Sequence, residues 1–322
     1  MSERYARQSV LAQVGPAGQA RLGAARVLVV GAGGLGCALL PYLCAAGVGH
    51  LTVLDPDRIE ESNLHRQPLY RMADLGEPKA PVAAASLAAL NPLVTVEAAV
   101  ERVTPANAAR WCASADVVID AADSLALTYI LSDECQRQGK PLVSAAVIGL
   151  AGYAGVFCGG APSYRAVFPE MPTGAGSCAE TGVLGSAVGV LGTLQAHLTL
   201  AQLLGLSPPV LGRLVSVDLA TLRFGGFSFA AADEPPEPQL SFIALGEVRP
   251  EDMVIDLRSR EEAPVSPFTQ ALRCSVEELP AQALPPAARV VLCCRSGIRA
   301  WRAGRALLAR RAGEVALLAL GE

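Results

Sequence analysis

The sequence predicts an α/β protein with a doubly wound, mostly parallel sheet and a second, smaller α/β domain. An apolar run at residues 27–30 breaks into glycines and resumes as a helix-like segment. A second strand-like run, residues 50–55, follows at the distance of a βαβ crossover. A Pro-rich acidic break at residues 231–239 separates this pattern from a shorter repetition of it. We therefore expect a domain over 1–230, a linker, and a domain over 240–322.

The glycines after the first strand have the spacing of a phosphate-binding turn. Gly31, Gly33 and Gly36 fit G-x-G-x-x-G, with Gly34 between them. Such a turn lets backbone N–H groups approach a phosphate at a helix N-terminus, where the helix dipole favours negative charge. Asp55 follows at the spacing at which a Rossmann-like fold binds a ribose hydroxyl. The alternative is a purely structural glycine turn.

Composition limits the function classes. The chain has 322 residues, 52% of them hydrophobic, which suffices for one large domain and a small one. The formal net charge of −4 argues against broad binding of nucleic acid or anionic membranes. The N-terminus has no apolar signal-like stretch, so we expect a cytoplasmic protein, and the nine cysteines then indicate reduced thiols.

Residues 183–204 have no Asp, Glu, Lys or Arg and are about as long as the ~20 residues that span a bilayer. Polar residues such as Gln195 and His197 interrupt the stretch, and no basic cluster flanks it. It is therefore predicted to be a fully buried helix, with no membrane involved. Residues 1–25 predict a single N-terminal helix.

Polar residues 57–67 follow the second strand at its carboxyl end, the edge at which open α/β sheets bind ligands. Lys79 comes near the start of an Ala-rich helix predicted over 80–90. A cation there opposes the helix dipole, so its position indicates a nearby anion. A solvent-facing lysine is the alternative.

A third apolar strand, at residues 116–120, again delivers carboxylates to its carboxyl end, among them Asp123. A carboxylate beside nucleotide phosphates is a natural Mg²⁺ ligand. Later strands are predicted at 141–147, 152–157, 214–219 and 223–225. A loop over 169–182, rich in Gly, Pro, Ser and Thr, presents the thiol of Cys178.

Six motifs stand in a linked order along the chain. They are R-Y-x-R-Q from Arg4, the glycine turn, D-x-D-x-x-x-x-S-N-L-x-R-Q from Asp55, G-x-P-K ending at Lys79, the lone Asp123, and C-A-E-x-G-V from Cys178. This series resembles the MoeB/ThiF/HesA adenylyltransferases, which are similar to the catalytic half of ubiquitin-activating enzymes. The resemblance covers about residues 4–228. It disfavours an NAD-dependent dehydrogenase, which has no need of S-N-L-x-R-Q.

The resemblance implies ATP-dependent adenylation of the C-terminal carboxylate of a ubiquitin-like sulfur carrier protein ending in Gly-Gly. Because a carboxylate that attacks a phosphate meets like charge, positioned cations must offset the repulsion. The implied roles are Arg66 and Lys79 beside the phosphates, Asn63 and Gln67 holding them, Asp55 on the ribose, Asp123 on Mg²⁺, and Arg7 reaching into the neighbouring subunit's site of a homodimer. Ser62 and Leu64 belong to the same nucleotide-binding segment, Ser124 replaces the family's usual Asn, and Asp57 could equally be a loop carboxylate without a ligand.

Most relatives hold a structural zinc through two Cys-x-x-Cys pairs. Here the place of the first pair reads Ser163-Tyr164-Arg165-Ala166, and no Cys occurs between Cys178 and Cys274. Cys158 and Cys178 alone cannot close a tetrahedral site. We therefore predict no zinc.

Beyond the break, strands are predicted at 253–258 and 290–294, and a helix at 300–310. The second strand delivers a thiol into a loop of small and basic residues: Cys294, Arg295, Ser296, Gly297, Ile298 and Arg299. With Asp256 and Arg258, this loop resembles the active site of rhodaneses, shortened here relative to the family. Loop N–H groups and arginines are expected to lower the thiol pKa and stabilise a persulfide anion. Cys293 is predicted to be a buried strand residue.

Together the two resemblances imply a sulfur transfer that ends in a thiocarboxylate. The sulfur donor would be thiosulfate or a cysteine-desulfurase persulfide, and no nucleic acid is expected as a partner. Cys178 either forms a transient bond with the carrier or has no role. The alternatives are a catalytically inactive scaffold that binds a carrier protein and, remotely, a dehydrogenase. Molybdopterin, thiamine, thiolated RNA, cysteine and secondary metabolites stay open as destinations of the sulfur.

Overall fold

The chain builds two β-sheets, one after the other. The computed structural model describes residues 3–172, 182–236, 240–282, 284, 289–310 and 313–321. We call residues 3–236 the N-terminal part and residues 240–321 the C-terminal part. The N-terminal part has an eight-stranded sheet and the C-terminal part a five-stranded one.

The eight-stranded sheet has the order β3-β2-β1-β4-β5-β6-β7-β8. Neighbours from β3 to β5 are parallel, and those from β5 to β8 are antiparallel. The strands are β1 (Arg26–Val30), β2 (His50–Leu54), β3 (Thr95–Ala99), β4 (Val117–Asp120), β5 (Pro141–Ile148), β6 (Ala151–Cys158), β7 (Arg213–Asp218) and β8 (Arg223–Ser228). The strand order reverses between β1 and β4, so their carboxyl ends form the crevice in which open α/β sheets bind ligands.

Eight helices accompany this sheet in the described ranges of the N-terminal part. They are α1 (Ala6–Ser9), α2 (Gly15–Ala24), α3 (Gly34–Ala46), α4 (Lys79–Leu90), α5 (Pro105–Ala113), α6 (Leu125–Gln138), α7 (Tyr164–Val167) and α8 (Gly185–Leu204). Local chemistry sets the ends of α6, which begins beside the crevice. The Ser124 hydroxyl accepts a hydrogen bond from the backbone N–H of Leu127 at 3.5 Å, and Gly139 ends the helix in a left-handed conformation.

The five-stranded sheet is parallel throughout, in the order β11-β10-β12-β13-β9. Its strands are β9 (Ser241–Phe242), β10 (Met253–Asp256), β11 (Leu272–Arg273), β12 (Val290–Cys294) and β13 (Val315–Ala319). Helix α9 (Ile298–Leu308) follows β12 and begins two residues before the predicted helix. Cys293 is fully buried in β12, and burial raises the pKa of its thiol to about 12.

Two sequence-based expectations about helices were wrong. The single N-terminal helix is two helices, because residues 10–14 turn the chain and Pro16 starts α2 afresh. Helix α8 is not buried on all sides: about half of its apolar window, 56%, lies inside the protein. Its remaining exposed stripe consists of Ser186, Val190, Thr193 and His197. By length and composition α8 could cross a membrane, but its packing against α3 and the sheet is that of a core helix.

One hydrophobic core crosses from the large sheet to the small one. It contains Leu28 of β1, Leu142 of β5, Tyr129 of α6, Leu292 of β12 and Trp301 of α9, each at most 3% exposed. The rings of Tyr129 and Trp301 lie 4.8 Å apart between centroids. The C-terminal part is therefore packed against α6 of the N-terminal part.

Candidate functional site

The glycine turn lies where β1 meets α3, at the crevice of the large sheet. Gly31 has φ +104°, and a Cβ there would lie 2.6 Å from the carbonyl oxygen of Ala121. A Cβ on Gly36 would lie 2.3 Å from the carbonyl oxygen of Gly31. Only glycine fits either position, and the turn therefore packs directly on the loop after β4 that carries Asp123.

Asp55 lies at the end of β2 and fixes this turn. One carboxylate oxygen accepts a hydrogen bond from the Ala32 N–H at 2.7 Å, and the other accepts one from the Asp57 N–H at 2.8 Å. The side chain is buried, and burial raises the pKa of the carboxyl group against the opposing effect of the two N–H groups. The predicted ribose ligand is thus also an anchor of the phosphate-binding turn.

Lys79 is a buried cation at the N-terminus of α4. Its ammonium nitrogen lies 3.1 Å from an oxygen of Asp57, with 7% of the lysine side chain exposed and 58% of the aspartate side chain. The Lys79 N–H also donates to the carbonyl oxygen of Asp57 at 2.9 Å. The alternative of a solvent-facing lysine was wrong, and Asp57 pairs with this ammonium group. Among the described residues the only ion-pair partner of this buried cation is the exposed Asp57, which favours a second anion at the site.

The polar segment after β2 faces the glycine turn. Asn63 and Gln67 are buried, and Gln67 Oε1 has no hydrogen-bond partner among the residues that the structure describes. A Cβ on Gly33 would lie 3.7 Å from Gln67 Nε2, and one on Gly34 would lie 3.7 Å from Arg66 Cγ. The structure thus brings the Gln67 amide and the aliphatic stem of Arg66 to the rim of the turn.

Arg66 and its neighbours complete this rim. Arg66 is half-buried as a residue, and its guanidinium group, at the exposed end, donates to the carbonyl oxygen of Ser62 at 3.1 Å and lies 2.8 Å from His65 Nε2. The Asn63 side-chain amide donates to the Ser62 hydroxyl at 3.2 Å. Leu64 is half-buried and packs on the core of the N-terminal part, so it supports the segment from below.

Sequence reasoning missed Tyr70. Its hydroxyl donates to the carbonyl oxygen of Ala32, 2.6 Å away, and lies 3.3 Å from that of Lys79. The ring is buried, and burial raises the pKa of the hydroxyl group. Tyr70 thereby ties the glycine turn to the start of α4. No sequence motif predicts this role, because it depends on a backbone carbonyl group 38 residues away in the chain.

The two carboxylates at the carboxyl end of β4 differ in their exposure to solvent. Asp120 is buried and accepts hydrogen bonds from the hydroxyls of Thr128 at 2.7 Å and Ser144 at 2.9 Å, and burial raises the pKa of its carboxyl group to about 6. Asp123 is exposed beside the glycine turn. Asp123 is therefore the carboxylate available to a ligand, whereas the Ser124 hydroxyl caps α6.

The structure does not bring Arg7 to the glycine turn of its own chain. Arg7 is exposed on α1, which is fixed at the C-terminal end of α3: the Gln8 side chain donates to the carbonyl oxygen of Ala46 at 3.0 Å. The turn lies at the opposite end of α3, and at a rise of ~1.5 Å per residue this helix is roughly 20 Å long. Cys178 lies outside the described residues.

The segment in the place of the missing first Cys-x-x-Cys pair is held by hydrogen bonds. Ser163 donates through its N–H and its hydroxyl to the two carboxylate oxygens of Glu234, both at 2.6 Å. Glu234 lies just after the large sheet ends. The contact joins the two chain segments that two Cys-x-x-Cys pairs would join, and the absence of zinc stays a prediction.

The loop after β12 surrounds a buried sulfur. The thiol sulfur of Cys294, 0% exposed, accepts hydrogen bonds from the N–H groups of Gly297 at 3.1 Å and Ala300 at 3.4 Å. Gly297 has φ +85°, a conformation that favours glycine. Arg299 donates to an oxygen of Glu262 at 2.7 Å. Of the other loop residues, Arg295 and Ser296 are exposed and Ile298 is half-buried.

Asp256 and Arg258 brace the strand beside this loop. Arg258 donates two side-chain hydrogen bonds to the fully buried Asp256 carboxylate, both at 2.9 Å, and the Ser266 hydroxyl adds a third at 2.9 Å. Burial opposes the charge, but these hydrogen bonds hold the pKa of Asp256 below its usual value. The buried Asp256 carboxylate is therefore a structural support, and only Arg258 of the pair is partly exposed.

The fold and the first site define a nucleotide-binding α/β enzyme class: a glycine turn, a buried lysine and an acidic loop meet where the strand order of a doubly wound sheet reverses. Within this class, a model of the ThiF family matches residues 5–240. The chain belongs to the ThiF family, which is a family of enzymes.

Curated relatives share a large part of the chain. A sulfur carrier protein adenylyltransferase of Thermus thermophilus is 44% identical over 253 residues, 74% of this chain and 93% of the relative. A SAMP-activating enzyme E1 of Haloferax volcanii is 43% identical over 224 residues, 69% of this chain and 83% of the relative. An adenylyltransferase and sulfurtransferase MOCS3 of Bos taurus is 47% identical over 218 residues, 67% of this chain but only 48% of the relative.

Solved structures share the fold. Escherichia coli MccB in complex with MccA-N7isoASN has a TM-score of 0.64 at 20% identity, over 72% of this chain and 74% of that chain. MccB with ATP has a TM-score of 0.62 at 20% identity, over 71% of this chain and 72% of that chain. At this identity the likeness confirms the α/β architecture with its mostly parallel sheet.

Proposed function

We propose that the N-terminal part uses ATP to adenylate the C-terminal carboxylate of a ubiquitin-like sulfur carrier protein ending in Gly-Gly. The C-terminal part then delivers sulfur from a persulfide on Cys294, which gives a thiocarboxylate. The observation that carries the first half is the meeting of the glycine turn, the buried Lys79 and the Arg66 rim in one crevice. The names of the Thermus thermophilus and Haloferax volcanii relatives support the same chemistry.

The residues present fit ATP. Beyond Gly33 and its chain neighbours, only the Gln67 amide among the described residues lies within 4 Å of the place of a Gly33 Cβ, which leaves room for a phosphate against the N-terminus of α3. The buried Gln67 Oε1 lacks a described partner, and a polar ligand would supply one. Asp123 is the residue that would hold Mg²⁺, which when bound neutralises phosphate charge.

Each side chain then has a task at the α-phosphate. The Lys79 ammonium and the Arg66 guanidinium offset the repulsion between the attacking carboxylate and the phosphate. Asp55 and Tyr70 keep the glycine turn in place, so that its N–H groups are aimed before the substrate arrives. The attack forms a carboxyl–phosphate bond and releases pyrophosphate.

We further propose a homodimer in which Arg7 serves the site of the partner subunit. Its distance from its own glycine turn supports this, because α3 separates the two. The uncharged α8 exposes Val190, and α1 is followed by Val10 and Leu11, 83% and 55% exposed, which a second subunit would cover. A C₂ pairing would place one arginine at each of two sites.

The testing experiment is ATP–pyrophosphate exchange with a ubiquitin-like protein ending in Gly-Gly from the same genome, followed by mass spectrometry of that protein. We expect exchange that depends on Mg²⁺ and on the partner, and a thiocarboxylate when thiosulfate is added. Cys294→Ala is expected to abolish the thiocarboxylate while exchange continues. Absence of both exchange and ATP binding would instead favour the inactive scaffold.

A further inference from the structure

We call residues 294–299, the loop after β12 that holds Cys294, the sulfur loop. This loop lies against the first turn of α6. A Cβ on Gly297 would lie 3.1 Å from Cβ of Ala126 and 2.7 Å from the ring of Phe242. Ala126 is 2% exposed, and it comes three residues after Asp123. The loop that holds Cys294 therefore adjoins the segment that lines the nucleotide site of the same chain.

A cation–π cluster stabilises the contact between the C-terminal part and α6. The guanidinium of Arg165 lies 5.0 Å from the ring centroid of Tyr129 in α6 and 5.2 Å from that of Trp301 in α9. Arg165 is 4% exposed and donates two hydrogen bonds to Asp133, at 2.6 and 2.8 Å. A buried, bidentate arginine between two rings is a specific contact, unlike an exposed ion pair.

Two further contacts limit how far the C-terminal part can move. Arg165 also donates to the carbonyl oxygen of Leu240, at 2.9 Å, which holds the first described residue of the C-terminal part against the N-terminal part. Glu170 pairs with Arg305 and lies 3.5 Å from the Trp301 indole nitrogen. Because Leu240 is held in place at the start of the C-terminal part, a small opening of the sulfur loop requires less movement than a transfer of the C-terminal part to a distant subunit.

We infer that Cys294 delivers sulfur to the nucleotide site of its own chain, with the first turn of α6 as the docking surface of the sulfur loop. The inference rests on the proposed function. The docked loop covers Cys294, and separation of Gly297 from Ala126 exposes the sulfur towards the crevice. The rival arrangement is delivery to the partner subunit, in parallel with the proposed crossing of Arg7.

The terminal sulfur of the Cys294 persulfide anion attacks the carbonyl carbon of the acyl adenylate; a carbon–sulfur bond forms, the carbon–oxygen bond to phosphate breaks, and AMP leaves with the electron pair. A thiol reductant then attacks the sulfur of Cys294 and loses its proton. The sulfur–sulfur bond breaks, the thiocarboxylate leaves, and the reductant stays on Cys294 as a mixed disulfide that a second thiol reduces.

A complementation experiment separates the two arrangements. Lys79→Ala and Cys294→Ala chains, each with a different tag, are co-expressed, and oligomers bearing both tags are purified; if the protein is monomeric, an equimolar mixture is used. The assay measures thiocarboxylate on the Gly-Gly partner with ATP, Mg²⁺, thiosulfate and dithiothreitol. Delivery within a chain predicts almost no product, since no chain has both functions. Delivery between chains predicts about half of the wild-type rate, from one complete site in two.

The outcomes are distinct. Product from the mixed oligomer overturns the inference and leaves the proposed function standing, whereas no product from the wild type refutes the proposed function and the inference with it. A wedge variant checks the docking surface: Ala126→Phe should raise the alkylation rate of Cys294 by iodoacetamide, read by peptide mass spectrometry, at least tenfold. Ala113→Phe, at an exposed site on α5, is the matched control, and equal rates in the two variants would refute the docking.

Discussion

The two regions at which chemistry is proposed meet solvent in opposite ways. At the nucleotide site, the anchors Asp55 and Lys79 are buried while Arg66 and Asp123 face outwards. At the sulfur loop, the reacting atom of Cys294 is itself 0% exposed, and the arginines around it are at the surface or in ion pairs. Under the proposed function, the first region receives a large substrate, and the second protects a reactive group until the docked loop opens.

This difference has a chemical reason. A phosphate-binding site needs N–H groups and cations aimed in advance, and water in the open site is displaced by the ligand. A persulfide exposed to solvent is instead consumed by any thiol that reaches it. In the proposed transfer, burial of the Cys294 sulfur keeps the persulfide from other thiols until it reaches the adenylate.

Lys79→Ala should separate the two regions most sharply. We expect ATP–pyrophosphate exchange to fall at least ~100-fold, because a buried cation aimed at developing phosphate charge is worth about 3 kcal/mol or more. Loading of sulfur onto Cys294 from thiosulfate should persist, since the loop holds its own N–H groups. Lys140→Ala is the control: it removes the only other lysine, which donates to the Ala115 carbonyl group at 2.8 Å. If exchange by Lys79→Ala stayed within threefold of the wild-type rate, the proposed role of Lys79 at the phosphates would be refuted.

Arg7→Ala should lower exchange by about 100-fold, the low end of the range of roughly 100- to 1,000-fold for removal of one group that stabilises developing charge. Mixed oligomers of Arg7→Ala and Lys79→Ala chains should recover activity, because the chain that retains Lys79 then receives Arg7 from its partner. Arg4→Ala, on the preceding turn, is the control; Arg4 donates to the carbonyl oxygen of Leu90 at 3.0 Å. Full activity in a monomer would contradict the crossing of Arg7. Recovery here, without recovery in the Cys294 mixture, would confirm that arginine crosses between chains and sulfur does not.

Asp120→Asn probes the buried carboxylate at the end of β4 through pH. Burial raises the pKa of Asp120 from 3.8 to about 6, so the folded state keeps a proton that the unfolded chain releases. Its contribution to stability is therefore fully present below pH 4 and is lost as pH rises to about 6. Wild type should lose ~2–3 kcal/mol of unfolding free energy relative to the variant across this window, measured by urea unfolding. Parallel curves for wild type and Asp120→Asn would refute the raised pKa of Asp120.

Local pattern was sufficient to predict the elements around the glycine turn. Buried apolar runs ending in glycine or aspartate identify β1, β2 and β4, since a strand and its turn are set by neighbours in the chain. The same logic placed Lys79 beside an anion. It could not show that Asp57 is the ammonium group's partner, because 22 residues separate them in sequence.

The remaining features depend on contacts between distant segments. The role of Tyr70 depends on its hydrogen bond to the carbonyl group of Ala32. The exposure of one stripe of α8 depends on which elements pack against its other faces. The C-R-S-G-I-R loop predicts a sulfur-carrying role for Cys294 by resemblance, but the contact of Gly297 with Ala126, in a helix beside the other sheet, has no counterpart in the loop's own sequence. Sequence periodicity has no signal for which helix covers which loop.

The hydrophobic core that runs from Leu28 through Tyr129 to Leu292 also makes the two parts of the chain one folding unit. Loss of packing in either sheet would expose the rings of Tyr129 and Trp301, so we expect the two parts to share their stability and to unfold together. Cleavage at the Pro-rich segment would leave each fragment with an apolar face that it cannot cover by itself. The fusion of the two parts is thus maintained by the energetics of folding as well as by the chemistry.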